Sequence, residues 1–214
     1  SDASAGIDDN VCIGFNAGLG GDFVSANVNM ISNVAIGSYA MDGTGALDCS
    51  HNVFVGASSG GGTWGQASTY NTAVGSGTMA GALYGATYNT VIGYGSASLL
   101  TQGDNNTVLG AGALEALTIG NNNIALGFQS MAGGTTGQAG DNVAIGYQAM
   151  SGAVGAEVVD DCVAIGSGAL AGALDSTDGA DEASQTVAIG KSALAALISG
   201  HGNTAVGFQA GTLL

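Results

Sequence analysis

Basic side chains are nearly absent from this sequence. Lys191 is the only lysine or arginine among 214 residues, whereas sixteen residues are acidic, and the formal net charge is −15. Proteins that bind nucleic acid or anionic lipid do so through clusters of Lys and Arg, which neutralise phosphate groups. We therefore predict that neither kind of molecule is a partner of this chain.

Long apolar runs and paired cysteine motifs are missing as well. No stretch of 18 or more apolar residues occurs, so the sequence predicts no membrane insertion. Cys12, Cys49 and Cys162 form no CxxC motif, and three cysteines cannot all pair within one chain. Neither a disulfide framework nor a zinc site is indicated.

Because the chain begins at Ser1 without Met or a signal-like segment, we interpret it as a piece of a longer protein.

Glycine and the aliphatic residues, by contrast, are abundant and recur regularly. A nine-residue phrase such as "NVAIGYQAM" (142–150) repeats with spacings of 17 to 24 residues, and a period of this order is typical of a solenoid. We predict one repeat domain over residues 1–214, a fragment of a longer fibre. Its rungs are centred on Gly14, Gly37, Gly56, Gly75, Gly93, Gly110, Gly127, Gly146, Gly166, Gly190 and Gly207.

Each phrase has the pattern of a β-strand. The third residue before the glycine is Val, Thr or Ile in every copy, and β-branched residues alternating with period two favour a strand over a helix. The residue directly before the glycine, such as Ile36 or Leu109, is always Val, Ile or Leu, so we predict that this row is the buried spine of the core. The predicted fold class is all-β, a parallel β-solenoid flattened into a roll of about eleven rungs and on the order of 50 Å long.

Asparagine opens nine of the eleven phrases. Asn tolerates left-handed backbone geometry, and its amide can stack on an identical amide when equivalent strands lie one above another. We therefore predict that these side chains form a corner ladder and do not contact a ligand. They are Asn10, Asn33, Asn52, Asn71, Asn89, Asn106, Asn123, Asn142 and Asn203.

The strands are apolar on both faces. Alternation places Val34 and Ile36 on one face and Ala35 on the other, while a roll one layer thick covers only its inner face. We expect the small residues, on the outer face, to pack against an identical surface around a rotation axis. The sequence thus predicts a homo-oligomer.

Four of the phrases, "NVAIGSYAM", "NTVIGYGSA", "NVAIGYQAM" and "TVAIGKSAL", resemble the head repeats of trimeric autotransporter adhesins (YadA-like heads) and the related repeats of phage tail fibres. The resemblance covers essentially the whole chain. It implies a left-handed parallel β-roll, a homotrimer, and an extracellular location on a virion fibre or a bacterial cell surface. On this basis we predict a non-enzymatic structural and adhesive segment that presents variable loops to a host or surface receptor, a glycan or a protein.

Aromatic side chains supply candidates for receptor contact. Five of them directly follow a motif glycine, in a slot that also holds Lys191. Exposed aromatic faces stack on sugar rings, although an aromatic ladder over a corner is equally ordinary packing. The candidate contacts are Phe15, Tyr94, Phe128, Tyr147, Phe208 and Gln209.

The acidic residues all lie outside the nine-residue phrases. We interpret them as solvated loop residues and predict no cofactor; calcium is a weaker alternative, since no calcium-roll or EF-hand signature is present. A second alternative is a polysaccharide depolymerase, whose carboxylate pair would come from Asp160, Asp161, Asp181 and Glu182. The acidic clusters are Asp8 with Asp9, Asp160 with Asp161, and Asp175, Asp178, Asp181 and Glu182.

Two further alternatives concern the ends and one row of the roll. Bare strand edges at the ends normally need covering, which would suit a subunit that polymerises end to end. Thr72, Thr90 and Thr107 occupy one slot in three successive rungs, which would suit an ice-binding face. Burial is the default interpretation of such a β-branched row, so we expect it to belong to the core.

Overall fold

The computed structural model describes residues 7–20, 29–133, 135–152, 159–172 and 184–212. Throughout these ranges the regular structure is β-strand, and no helix occurs in them. The paired strands run parallel, and successive repeats stack on one another. The predicted all-β parallel solenoid is confirmed.

The described residues contain sixteen short strands. In chain order they are β1 (Ile7–Asp8), β2 (Val11–Ile13), β3 (Met30–Ile31), β4 (Val34–Ile36), β5 (Val53–Val55), β6 (Thr72–Val74), β7 (Thr90–Ile92), β8 (Thr107–Leu109), β9 (Leu117–Asn121), β10 (Ile124–Leu126), β11 (Thr135–Gly140), β12 (Val143–Ile145), β13 (Val159–Asp160), β14 (Val163–Ile165), β15 (Val187–Ile189) and β16 (Thr204–Val206). Each repeat phrase contributes one three-residue strand, which confirms the strand pattern of the phrase.

The phrase strands form a single sheet of 11 strands, here called the long sheet, and spatial order follows chain order. Each strand pairs in register with its neighbours, so that Ala125 lies between Val108 and Ala144. The connectors add a two-stranded sheet of β1 and β3 and a three-stranded sheet of β9, β11 and β13. Equivalent residues of successive rungs are therefore stacked, even though the connectors differ in length.

The predicted core spine is wrong, because the row before the motif glycine points outward. Ile13, Leu109 and Val206 are 59%, 52% and 67% exposed, and no residue of that row is buried. From β4 onward, the middle residue of each long-sheet strand is buried instead, as at Ala73 and Val108. Period-two alternation shows which side chains share a face but does not show which face is inside. The small residues expected at an oligomer contact thus lie in the core.

Leu and Met side chains fill the interior beside these small residues. Met79, Leu114 and Leu170, each four residues after a motif glycine, are fully buried. In the rung whose strand supplies the large Phe54, this position is Gly60, and an added Cβ there would lie 2.7 Å from the Phe54 ring. Because protein interiors are close-packed, the two positions share a limited volume. This thin core explains why alanine faces inward in most of the strands.

The motif glycine is required by its backbone geometry and by the neighbouring rung. All eleven copies have φ between 129° and 146°, which L side chains rarely adopt. A Cβ added to Gly110 would also clash with the carbonyl oxygen of Gly127 in the next rung, and the clash recurs in every other copy that is followed by a rung. No further described rung stacks on Gly207, where the nearest contact of an added Cβ is the Ala210 Cβ at 3.9 Å.

Alanine substitutions at these glycines should separate backbone strain from the clash between rungs. Gly207→Ala introduces the strain alone, and we expect it to lower the free energy of unfolding by about 1 kcal/mol. Gly110→Ala adds the clash, and we expect a loss of about 3 kcal/mol or more. Guanidinium unfolding followed by circular dichroism measures both. Equal losses would show that contact between rungs does not dictate the glycine.

Candidate functional site

The outward face of the long sheet carries a continuous band of aliphatic side chains and threonines, here called the aliphatic stripe. It consists of the first and third residues of the eleven long-sheet strands. Val11, Ile92 and Leu109 are exposed within it, and members such as Ile145 are half-buried. Ten strand spacings of about 4.8 Å and a width of about 10 Å outline an area on the order of 500 Å², within the range of the largest apolar patches on monomeric proteins, which are often functional.

The stripe contains no charged residue. Its polar members are four threonines, of which Thr72 is half-buried while Thr90, Thr107 and Thr204 are exposed. The burial expected for the β-branched row is therefore wrong, for the same reason as at the core spine. Each threonine still presents a methyl group, so the stripe remains apolar along its whole length.

Eight of the predicted ladder asparagines form one series of hydrogen bonds along the roll. In the seven from Asn33 to Asn142, the Nδ2 donates to the Oδ1 of the asparagine in the preceding rung at 2.8–3.2 Å, and to a backbone carbonyl across the corner at 2.7–2.9 Å. Asn10 begins the series, and its Nδ2 donates to the Met30 carbonyl at 2.6 Å. Each Oδ1 also accepts a backbone N–H of the next rung. The amides are thus engaged within the chain. The series comprises Asn10, Asn33, Asn52, Asn71, Asn89, Asn106, Asn123 and Asn142.

Asn203 stands apart from this series. It is half-buried, and its Nδ2 donates to the Gly200 carbonyl within its own connector. Cys162 and Thr186 occupy the asparagine slot in the two intervening rungs, and the Cys162 N–H donates to Asn142 Oδ1. The amide ladder therefore spans the first eight rungs.

Removing one interior amide should cost far more than removing the isolated one. Asn106→Ala deprives the buried Asn123 amide and N–H of their acceptor, and we expect it to lower the free energy of unfolding by about 3 kcal/mol. Asn203→Ala removes one half-exposed hydrogen bond and should cost less than about 1 kcal/mol. Differential scanning calorimetry compares the two variants. If their unfolding midpoints shift equally, the ladder adds nothing beyond a local turn.

The aromatic candidates are all exposed, but the structure does not join them into one patch. Phe128 and Tyr147 stack with ring centroids 5.7 Å apart and an interplanar angle of 11°. Phe15 instead meets Tyr39 edge to face at 5.4 Å. Gln209 is exposed as well, and its N–H donates to the Lys191 carbonyl. The candidates thus divide into separate groups: Phe15; Tyr94, Phe128 and Tyr147; and Phe208 with Gln209.

A second aromatic column was missed by the sequence analysis. His51, Tyr70 and Tyr88 directly precede the ladder asparagines of three successive rungs, and their rings stack at 4.9 Å with interplanar angles of 16° and 4°. All three have φ near 60°. The signal was present as an aromatic residue before Asn in consecutive repeats. Because the faces of this column cover one another, it offers mainly ring edges to solvent.

No protein-family model, curated protein or solved structure matches this chain. The resemblance to adhesin heads and tail fibres therefore stays a prediction. Within the described ranges, no helix is long and apolar enough to cross a bilayer. The functional interpretation rests on the surfaces themselves.

Only some of the acidic candidates lie in the described residues. Asp8, Asp9 and Asp161 are exposed, whereas Asp160 is half-buried and its Oδ1 accepts the Gly140 N–H at 2.6 Å. Burial raises the pKa of the Asp160 carboxyl; the Gly140 hydrogen bond opposes this, and the charges of Asp161 and Asp141 add to the rise. Four of the predicted acids lie outside the described residues, namely Asp175, Asp178, Asp181 and Glu182.

Asp160 and Asp141 also line a polar cavity of about 180 Å³, together with Asn121, Asn122 and Gln138. Across the described ranges, no group of three or more His, Cys, Asp or Glu side chains is placed to hold a metal ion. The calcium and depolymerase alternatives remain predictions.

The three cysteines lie in different rungs, and their thiols differ in accessibility. Cys49 and Cys162 are buried, and burial raises the pKa of each thiol to about 11. Cys12 is exposed at the first rung, although partial burial raises its pKa as well. Since the thiolate is the nucleophile, the two buried thiols are held in their unreactive form at neutral pH.

Iodoacetamide at pH 8 should therefore alkylate Cys12 in the folded protein and spare the two buried cysteines. With a pKa of about 11, roughly one thiol in a thousand is ionised at that pH. Peptide mass spectrometry after digestion locates the label, and labelling in guanidinium should reach all three sites. Rapid labelling of Cys49 or Cys162 in the folded protein would contradict the burial of these two thiols.

Proposed function

We propose that this chain is a structural and adhesive segment of an extracellular fibre, assembled from identical chains along the aliphatic stripe. The stripe is the observation that carries the proposal. Apolar area of this extent is stabilised by removal from water at about 25 cal/mol per Å². A strand apolar on both faces is normally covered on both faces, and a one-layer roll covers only one.

A second copy of the chain fits the stripe better than a different partner. The stripe is uncharged, and each rung repeats the one before, so two copies can lie side by side with equivalent rungs level. The chain carries a net charge of −15, and self-repulsion would oppose contact through any acidic connector. Association is therefore favoured at the surface from which charge is excluded.

A stripe along one side of the roll suits two or more chains around a common axis, and the proposal of three copies comes from the resemblance to known fibres. The resemblance to adhesin heads and tail fibres supports the same number and a left-handed roll, on a virion fibre or a bacterial surface. The connectors and exposed aromatic side chains would then face outward to meet a glycan or protein receptor. We assign no catalytic residue and no cofactor. Depolymerase activity and end-to-end polymerisation remain alternatives.

The oligomeric mass tests this proposal. Native mass spectrometry is expected to give three chains of 20.4 kDa each. Leu109→Lys places an unpaired charge in the stripe and should weaken association by more than about tenfold, since burying an unpaired charge is costly. Leu99→Lys is the matched control, because Leu99 is equally exposed, at 52%, but lies outside the stripe.

A wild-type chain that stays monomeric at micromolar concentration would overturn the proposal. Dissociation by Leu99→Lys alone would place the contact elsewhere on the roll. A dimer would retain the stripe as the interface and remove the threefold arrangement.

A further inference from the structure

We propose that a slot between Tyr94 and Phe128 binds the ring of a neutral pyranose. The slot is a cavity of about 180 Å³ lined by Tyr94, Ala111, Gly112, Glu115, Phe128 and Gln129. This inference deepens the proposed function, because it rests on an adhesive role and names a ligand class and a site for it.

The slot is the place of one missing ring in an aromatic column. Tyr94, Ala111, Phe128 and Tyr147 follow the motif glycine in four successive rungs, and the last two rings already stack at 5.7 Å. With rungs about 4.8 Å apart, Tyr94 and Phe128 are separated by about 9.6 Å along the roll. A ring placed at the Ala111 level would therefore lie about 4.8 Å from each neighbour, close to the 4.9 Å spacing of the Tyr70 and Tyr88 rings.

The Tyr94 and Phe128 rings line an open cavity between them. In the column of His51, Tyr70 and Tyr88, the central ring is covered on both sides. At the slot, the alanine side chain leaves the space between the Tyr94 and Phe128 rings empty of protein. Sugar C–H groups pack on aromatic faces, and ligand sites combine such apolar walls with a few placed polar groups.

Polar groups stand at the edge of the slot where sugar hydroxyls would lie. Glu115 is exposed, and its Oε2 would be 3.2 Å from a Cβ added to Gly112, so the carboxylate lies over this glycine. Gln129 Oε1 accepts a hydrogen bond from Gln148 Nε2 at 2.9 Å, which orients the Gln129 amide group to donate from its nitrogen. A carboxylate acceptor and an amide donor suit vicinal hydroxyls.

Charge selects the class of sugar. The Glu115 carboxylate stands at the slot, and the chain as a whole carries −15, so a uronic or sialic acid would meet repulsion. A neutral hexose avoids this cost. The slot lies in the turn after the motif glycine and outside the aliphatic stripe, so it does not need the surface that assembly would cover.

A substitution that fills the slot with a larger side chain tests the proposal. Ala111→Phe completes the aromatic column and should abolish binding while leaving the fold intact, since three of the four positions already carry aromatic rings. The matched control is Ala57→Phe, at the same repeat position, because its neighbours in that column are Ser38 and Ser76 and supply no aromatic walls. Tyr94→Ala removes one wall and should weaken binding by about threefold to tenfold.

Binding is measured by saturation-transfer difference NMR on the full chain, with methyl glucopyranoside, methyl galactopyranoside and methyl mannopyranoside, and with methyl glucuronide as the anionic comparison. We expect at least one neutral glycoside to bind in the millimolar range, the glucuronide to bind more weakly, and Ala57→Phe to behave as wild type. Equal binding to the Ala111→Phe and wild-type chains, or no saturation transfer to any neutral glycoside, would overturn the proposal.

The oligomeric mass of each variant is recorded in parallel. If Tyr94→Ala or Ala111→Phe changes the mass, the slot holds a side chain of a neighbouring copy, and the sugar assignment fails. If wild type binds no sugar yet remains trimeric, the slot proposal fails while the fibre proposal stands. If wild type is monomeric and still binds a glycoside that Ala111→Phe rejects, the fibre proposal fails and the slot stands.

Discussion

The close approach of each motif glycine to the carbonyl of the next is the contact on which this structure depends. Only a residue without Cβ can hold φ near 135° while the next rung lies directly against it. Once that contact is made between each pair of successive rungs, the long sheet has one register and equivalent residues must stack. The amide ladder and the aromatic columns follow from this stacking, whereas connector length is left to vary.

Stacking of equivalent residues has opposite consequences inside and outside the roll. Inside, it converts a buried asparagine, costly on its own, into one member of a series in which each amide satisfies the next. Outside, it aligns two aliphatic residues, or one aliphatic residue and a threonine, from each rung into a largely apolar stripe that is costly to leave in water. The acids, confined to the connectors, keep the remaining surface solvated. The same repeat phrase thus favours folding and self-association together.

The strands, their parallel stacking and the asparagine corner could be predicted from the sequence because each depends on a residue type at a fixed repeat position. Which face of each strand points into the core could not be predicted. The alternation of Ala35 and Ile36 is compatible with either side chain pointing inward. Because Met and Leu side chains of the turn already fill the thin interior, only the small alanine fits there. His51, Tyr70 and Tyr88 were missed because their slot precedes the phrase that defines the repeat. The slot between Tyr94 and Phe128 depends on residues 34 positions apart in the sequence, which only the stacking of rungs brings together.

In a stack of this kind, a binding site can arise where one residue in a column of large side chains is small. A groove in a globular protein needs several segments to diverge, but here the two neighbouring rungs are held in place by the glycine contact whatever the side chain between them. Placing Ala111 between the rungs of Tyr94 and Phe128 therefore leaves a gap about one rung high, and the far side of the Phe128 ring is already stacked on Tyr147. Such a gap is specified by a single small residue. Its specificity must come from the polar side chains at its edge, which is why Glu115 and Gln129 matter more to the choice of ligand than the rings do.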